Sequence, residues 1–315
     1  MDQKSHICAI RRCKFYRIAN LSILLFPILF ATIVKAQDHI TLNPDSAIIV
    51  TSDIDHFWQA FDQLEHQNTT ADSLHIIKTI FVDSASEGLR SYMRAAKCYE
   101  QQYLISIREK KAAYLRVRQK TEEVAGKKEM MRMLLRKFKK LYPSLRLPVF
   151  CFTIGKFEVG GTQFENILYI GCEKDLLINV DILAQTIHEL AHFQQRDQNP
   201  VTTLDLAMIE GGAEYVSYQV TGKRTIPEAW VYGVANESLL WKEFRPSMDS
   251  AIDMKWFLDE YDPVRHRPGS LGYFVGFRIC ESYLPSQRNK ESAFIEIVEM
   301  ENPKKIFQAS SYEKK

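Results

Sequence analysis

Apolar positions along the chain follow helical spacing at first, turn to strand spacing over a short middle section, and then return to helical spacing. Residues 37–52 are irregular except for a short strand expected at AIIVT, Ala47 to Thr51. Ser52, Asp53 and Asp55 favour the start of a helix that runs through FWQAFDQL. Another helix is expected from near Ala71. Residues 83–120 then read as one or two long amphipathic helices, with Gly88 as an interruption. In MRMLLRKFKKLYPSL, Met131, Leu134, Leu135, Phe138 and Leu141 form one helical stripe, and Pro143 ends the helix.

The period then changes. LRLPVFCFTIG and ENILYIG are rich in branched and aromatic residues, and the glycine-containing GKFEVGGTQF lies between them. This pattern predicts a hairpin whose turn or bulge is permitted by Gly160 and Gly161. INVDILAQTIHELAHFQQ returns to helical spacing, with Leu183, Ile187, Leu190 and Ala191 on its apolar side. A polar loop containing Pro200 separates it from a second helix, TTLDLAMIEGGAEYVSYQV. Trp230, Trp241, Phe244 and Trp256 supply large packing surfaces further on, beside an acidic section holding Asp249, Asp253, Asp259, Glu260 and Asp262. Those acids lack the spacing of a calcium loop. In HRPGSLGYFVGFRICESYL, Gly272 and Gly276 share a helical face and allow close approach to neighbouring helices.

Composition changes this picture mainly at the N-terminus. RRCKFYR is basic, LSILLFPILFATIV is a short apolar run broken by Pro27, and Val34-Lys35-Ala36 fits a cleavage site before Gln37. That order reads as a signal peptide over residues 1–36; the run is too short to favour a membrane anchor. Removing it takes six Lys or Arg and one Asp. The balance moves from 41 basic and 39 acidic residues to 35 and 38, about −3. A nearly neutral mature chain gives no general case for binding nucleic acid or an anionic membrane. Residues 108–140 hold 13 Lys or Arg against 4 Glu, and are read as a surface helix docked through its apolar face rather than a site for anionic partners. The cysteines remaining after residue 36, Cys98, Cys151, Cys172 and Cys280, are too few for a disulfide scaffold and show no CxxC metal spacing.

The chemistry centres on His188, Glu189 and His192. Two histidines four residues apart on a helix share a face and can grip one zinc ion, and Glu189 beside them can take a proton from water. The second helix offers Glu210 and Glu214, one turn apart, as third-ligand candidates. Seventeen residues separate His192 from Glu210, enough for a loop and the first turns of an antiparallel helix. The longer metzincin pattern is absent, because Gln195 and Gln198 stand where it needs Gly and His.

FTIGKFEVGGTQFENILYIGCE, IHELAHFQQ, IEGGAEYVSY, PGSLGYFVGFRI and a terminal SSY together resemble the bacterial family of predicted zinc-dependent proteases called DUF2268. The arrangement is also similar to the gluzincin metallopeptidases, and more loosely to a gliding-motility lipoprotein family. The resemblance covers about residue 145 to the end, and more weakly the helical region before it. It implies that His188, His192 and Glu210 bind Zn2+, with Glu189 as general base and Glu214 holding a ligand ring. Among the polar residues Tyr273, His266 and Arg278, it ranks Tyr273 first as oxyanion stabiliser. It also implies a substrate-holding strand, read here as Asn166, Ile167, Leu168, Tyr169, Ile170 and Gly171.

The expected fold is therefore α+β and mostly helical: a zincin-like catalytic domain over 145–315, with a small sheet or hairpin beside the HExxH helix, supported by a helical region over 37–144. The expected activity is hydrolysis of peptide or protein amides, endopeptidase action being slightly favoured, by an exported enzyme in the periplasm or outside the cell. The alternative is a noncatalytic envelope assembly or gliding-motility protein that retains the fold, with an envelope-protein partner.

Overall fold

The computed structural model describes residues 40–158, 160–177, 179–196, 199–258 and 261–312. The expected leader, its cleavage point before Gln37, and Asp197, Gln198, Asp259 and Glu260 lie outside the described residues. β1 (Ile49–Val50) leads into α1 (Ser52–Leu64) and α2 (Thr70–Ile76), which continues into a π-helical stretch, Ile77–Val82. α3 (Glu87–Ala96), α4 (Glu100–Glu122) and α5 (Lys128–Leu141) follow, then β2 (Val149–Thr153), β3 (Gly161–Phe164) and β4 (Ile167–Gly171). The remainder is helical: α6 (Cys172–Leu177), α7 (Ile182–Gln194), α8 (Thr203–Thr221), α9 (Pro227–Ala235), α10 (Glu237–Phe244), α11 (Leu271–Ser286), α12 (Lys290–Glu299) and α13 (Pro303–Ala309). The described residues are mostly helical, with one small mixed sheet.

The N-terminal helices close on an aromatic core. Phe57 meets Trp58, Phe81 and Tyr114 at ring-centroid distances of 5.2, 5.5 and 5.2 Å, and Phe81 meets Tyr103 at 4.9 Å. All five are buried, each worth roughly 1.5–3 kcal/mol in area removed from water. Gly88 does not interrupt a helix. It lies in the first turn of α3, where an added Cβ would stand 2.7 Å from Cβ of Cys151. The break comes instead at Lys97, in the left-handed region at φ 49°. Asp53, in the first turn of α1, also bridges two helices. It is buried, and accepts the Ser86 amide at 2.7 Å and the Ser86 hydroxyl at 2.5 Å, tying α1 to the start of α3.

The sheet has the order β1-β2-β4-β3. β1 and β4 both run parallel to β2, while β3 pairs antiparallel with β4. The predicted hairpin between β2 and β4 is thus a correction: these two strands are parallel, and the segment between them crosses over and returns as β3. The tight turn joins β3 to β4 and carries Glu165 at φ 52°. The segment Asn166 to Gly171, expected to hold substrate, is likewise not an open edge. Ile167, Leu168, Tyr169, Ile170 and Gly171 lie between two paired neighbours and are all buried, so both hydrogen-bonding edges of β4 are occupied. The open edge beyond β4 belongs to β3, whose residues are partly or fully exposed.

α7 and α8 lie together. The Ser217 hydroxyl donates to the Ala184 carbonyl at 2.7 Å and the Gln195 amide to the Ile209 carbonyl at 2.8 Å, contacts whose register runs antiparallel. α11 crosses α8 where both lack side chains. A Cβ on Gly276 would fall 1.8 Å from the Ala207 carbonyl oxygen, and one on Gly211 would fall 2.3 Å from the Phe277 nitrogen. Gly272 instead faces Phe257, and Gly212 faces Met300. Cys98, Cys151, Cys172 and Cys280 are buried, unbridged thiols. Among the described residues no helix is long and apolar enough to cross a membrane.

Candidate metal centre

α7 begins at a capped end. The Asp181 carboxylate accepts the amides of Leu183 and Ala184, both at 3.0 Å, and Lys223 pairs with its other oxygen. Burial of Ile182, Leu183, Ile187 and Leu190 then fixes the helix rotation, which leaves His188, Glu189 and His192 along one side. Nε2 of His188 and Nε2 of His192 are 3.0 Å apart. Oε2 of Glu210, brought by α8, lies 3.2 Å from the His192 nitrogen and 3.5 Å from that of His188. A tetrahedral ion with bonds of about 2.0–2.1 Å sets its donors about 3.3 Å apart, so these three atoms fit the corners of one coordination shell. They form a cluster able to hold a metal ion.

The local electrostatics point the same way. Burial alone would lower the His192 pKa, but the Glu210 carboxylate, with Glu189 adding to it, outweighs that and holds the ring up at about 9. Burial likewise opposes ionisation of Glu210, yet His192 and His188 hold its carboxyl well below the usual range. His192 and Glu210 thus compensate each other at close range, and a divalent cation held beside them would take over the positive charge that the carboxylate favours.

Around them sit the orienting groups. Glu214, one turn beyond Glu210, is fully buried with an oxygen 3.7 Å from Nδ1 of His188. Among the described residues neither that nitrogen nor either Glu214 oxygen has a hydrogen-bond partner of good geometry, and burial raises the Glu214 carboxyl pKa against the pull of His188 and of the Thr225 backbone. Oε1 of Glu189 accepts the Gln185 amide at 2.9 Å. Glu189 also borders β3: a Cβ on Gly161 would come within 2.3 Å of its carboxyl carbon. The Tyr273 ring stacks toward His188 at 6.1 Å between centroids and 16° between planes.

Other candidates lie elsewhere. Arg278 is occupied by Glu237 and Glu281, and His266 is exposed on a loop. Gln185 and Gln195 also border the site, although neither was expected there. Gln185 stands four residues before Glu189 on one helix, a spacing that could have found it. Gln195 accepts from Nδ1 of His192 at 2.9 Å from just beyond the helix end, where spacing gives no such signal.

Two comparisons with known proteins bear on this geometry. The uncharacterized protein YjaZ of Bacillus subtilis (strain 168) is 27% identical over 135 residues, 41% of this chain and 51% of that protein. The chain thus spans about half the length of this curated relative, and no solved structure matches it. A family match covers the HExxH helix, α8 and α11 together: over residues 153–305 the chain carries a domain of the family described as predicted Zn-dependent protease (DUF2268).

Proposed function

We propose that the protein is a zinc-dependent peptidase of gluzincin type, built on a zincin-like catalytic part spanning 145–315, with residues 37–144 as its helical support. The observation that carries this is the convergence of His188, His192 and Glu210 from two helices within 3.5 Å, beside Glu189. Two imidazoles and one carboxylate would leave a bound zinc one position for water or substrate, the pattern of a catalytic rather than a structural zinc site. His188, His192 and Glu210 would hold zinc there, and the ion would supply a Lewis acid for the scissile carbonyl and for water. Glu189 accepts the proton of the attacking water and returns it to the leaving nitrogen. The Gln185 amide holds Glu189 in place. Tyr273 donates to the oxyanion that develops on the substrate carbonyl, a role supported by its position beside His188.

The substrate is a peptide or protein held in extended form. Because β4 is paired on both sides, the backbone that receives it is β3, Gly161 to Phe164, the edge next to Glu189. Glu189, together with its Gln185 bond, favours catalysis over a noncatalytic envelope role, since a purely structural metal site has no use for a base.

Metal analysis of purified chain tests the site. One zinc per chain is expected in the wild type, with most of it lost in His188→Ala, His192→Ala and Glu210→Ala, and retained more weakly in Glu214→Gln. Cleavage of a broad peptide library should cease on chelation and return with zinc. Zinc bound as well by Glu210→Ala as by wild type would contradict the ligand set. The proposed location is outside the cytoplasm. Cell-derived protein should begin at Gln37, and a stable species beginning at Met1 in N-terminal sequencing would contradict export.

A further inference from the structure

We infer that Gln195 is a positioning residue of the metal centre, setting the ring of one ligand and the height of another; this rests on the zinc site proposed above. Gln195 is the first residue beyond α7, where the backbone turns extended at φ −60° and ψ 134°. Its side chain folds back into the protein and is only 7% exposed. Oε1 lies 2.9 Å from Nδ1 of His192, and Nε2 donates to the Ile209 carbonyl at 2.8 Å.

These two contacts fix each other. The Ile209 carbonyl oxygen can only accept, so the Gln195 amide must present its nitrogen there and its oxygen to the ring. An amide oxygen can only accept as well, so Nδ1 of His192 carries a proton. The lone pair available to a metal is then on Nε2, the atom that faces His188 and Glu210. Ile209 immediately precedes Glu210. The same amide therefore holds the turn of α8 from which the carboxylate ligand projects.

Gln194 serves a different purpose. Its amide nitrogen donates to the carbonyls of Arg146 and Leu190, and its oxygen accepts the Arg146 amide, which joins α7 to the segment entering β2. The backbone beyond Gln195 has its own anchor, since the Arg196 amide donates to the Glu299 carbonyl at 2.8 Å. The path of the chain thus does not depend on the Gln195 side chain, and variants there should fold.

The test combines zinc affinity, measured by chelator competition, with the ring N–H signals of protein labelled with 15N-histidine and loaded with zinc. In the wild type, His192 should show a slowly exchanging Nδ1–H. Gln195→Leu removes both contacts; it should weaken zinc binding about 10- to 100-fold, the usual effect of losing such a partner, and abolish slow exchange of that proton. Gln195→Glu keeps the acceptor but loses the donor to Ile209. It should retain the Nδ1–H signal and lose less affinity than Gln195→Leu. Wild-type affinity and an unchanged His192 signal in Gln195→Leu would overturn the inference. So would a lowered melting temperature alone, which would leave Gln195 a merely structural clip between α7 and α8. Failure of the zinc reading looks different: the wild type itself would then take up no zinc, and the inference would fall with it.

Discussion

Gly161 shows how closely the site is built at the scale of one residue. Its α-carbon lies so near Glu189 that a methyl group there would sit 2.3–2.6 Å from three atoms of the glutamate side chain. The glycine is needed for this approach, not for an unusual backbone angle. Gly161→Ala should push Glu189 off the Gln185 amide and lower turnover about 10- to 100-fold, the scale of a 1 Å misplacement. Zinc content should stay near wild type, because no ligand is touched. Unchanged kcat in this variant would show that Glu189 tolerates displacement. At this scale the sequence was informative where spacing within one helix decided the matter. His188, Glu189 and His192 follow directly from the four-residue separation. Glu210 and Glu214 could not be separated by spacing alone, since both lie on α8; the distances favour Glu210, with Glu214 behind His188. Gln195 was not legible, because its role depends on a side chain folding back after the helix has ended.

Helices were the legible elements and strand pairing was not. A helix carries its own hydrogen bonds and shows its buried face locally, as Met131, Leu135 and Phe138 of α5 do. The partners of a strand are distant in sequence. ILYIG is an unbroken apolar run, the mark of a strand covered on both faces, but nothing in it states that β2 lies parallel on one side and β3 antiparallel on the other. The metal helix allows a sharper statement about its own stability. Burial would raise the Asp181 pKa, but the Lys223 ammonium and the amides of Ala184 and Leu183 hold its carboxyl below the ordinary value. A depressed carboxyl stabilises the fold above its unfolded pKa, near 3.8, and loses that contribution as pH falls through its folded value. Asp181→Ala should therefore cost about 1 kcal/mol at neutral pH, as lost helix caps do, and lower the melting temperature by about 2–4 °C. The gap to wild type should narrow below pH 4. An equal gap at pH 3 and pH 7 in thermal unfolding would contradict a charged cap.

Across the whole molecule, ion pairing offsets part of the basic stretch that was expected to be a solvated helix surface. Residues 108–140 look strongly basic, yet Arg118 pairs with Asp62 and Glu122, Lys111 with Glu65, and Arg136 with Asp45 and Glu129. Asp45, Asp62 and Glu65 come from the N-terminal helical region, so folding reduces a field that the sequence displays in one block. β1 from the same region joins the edge of β2, and the two parts share one buried core. The most direct test of the account is hydrolysis of a peptide library by zinc-loaded wild type and Glu189→Gln, with metal content measured on the same samples. Glu189→Gln keeps the size and the Gly161 contact but cannot accept a proton. It should stay folded, retain about one zinc per chain and lose at least roughly 100-fold in turnover, the contribution expected of a positioned acid–base group. Cleavage of the same bond by zinc-loaded Glu189→Gln at the wild-type rate would contradict it.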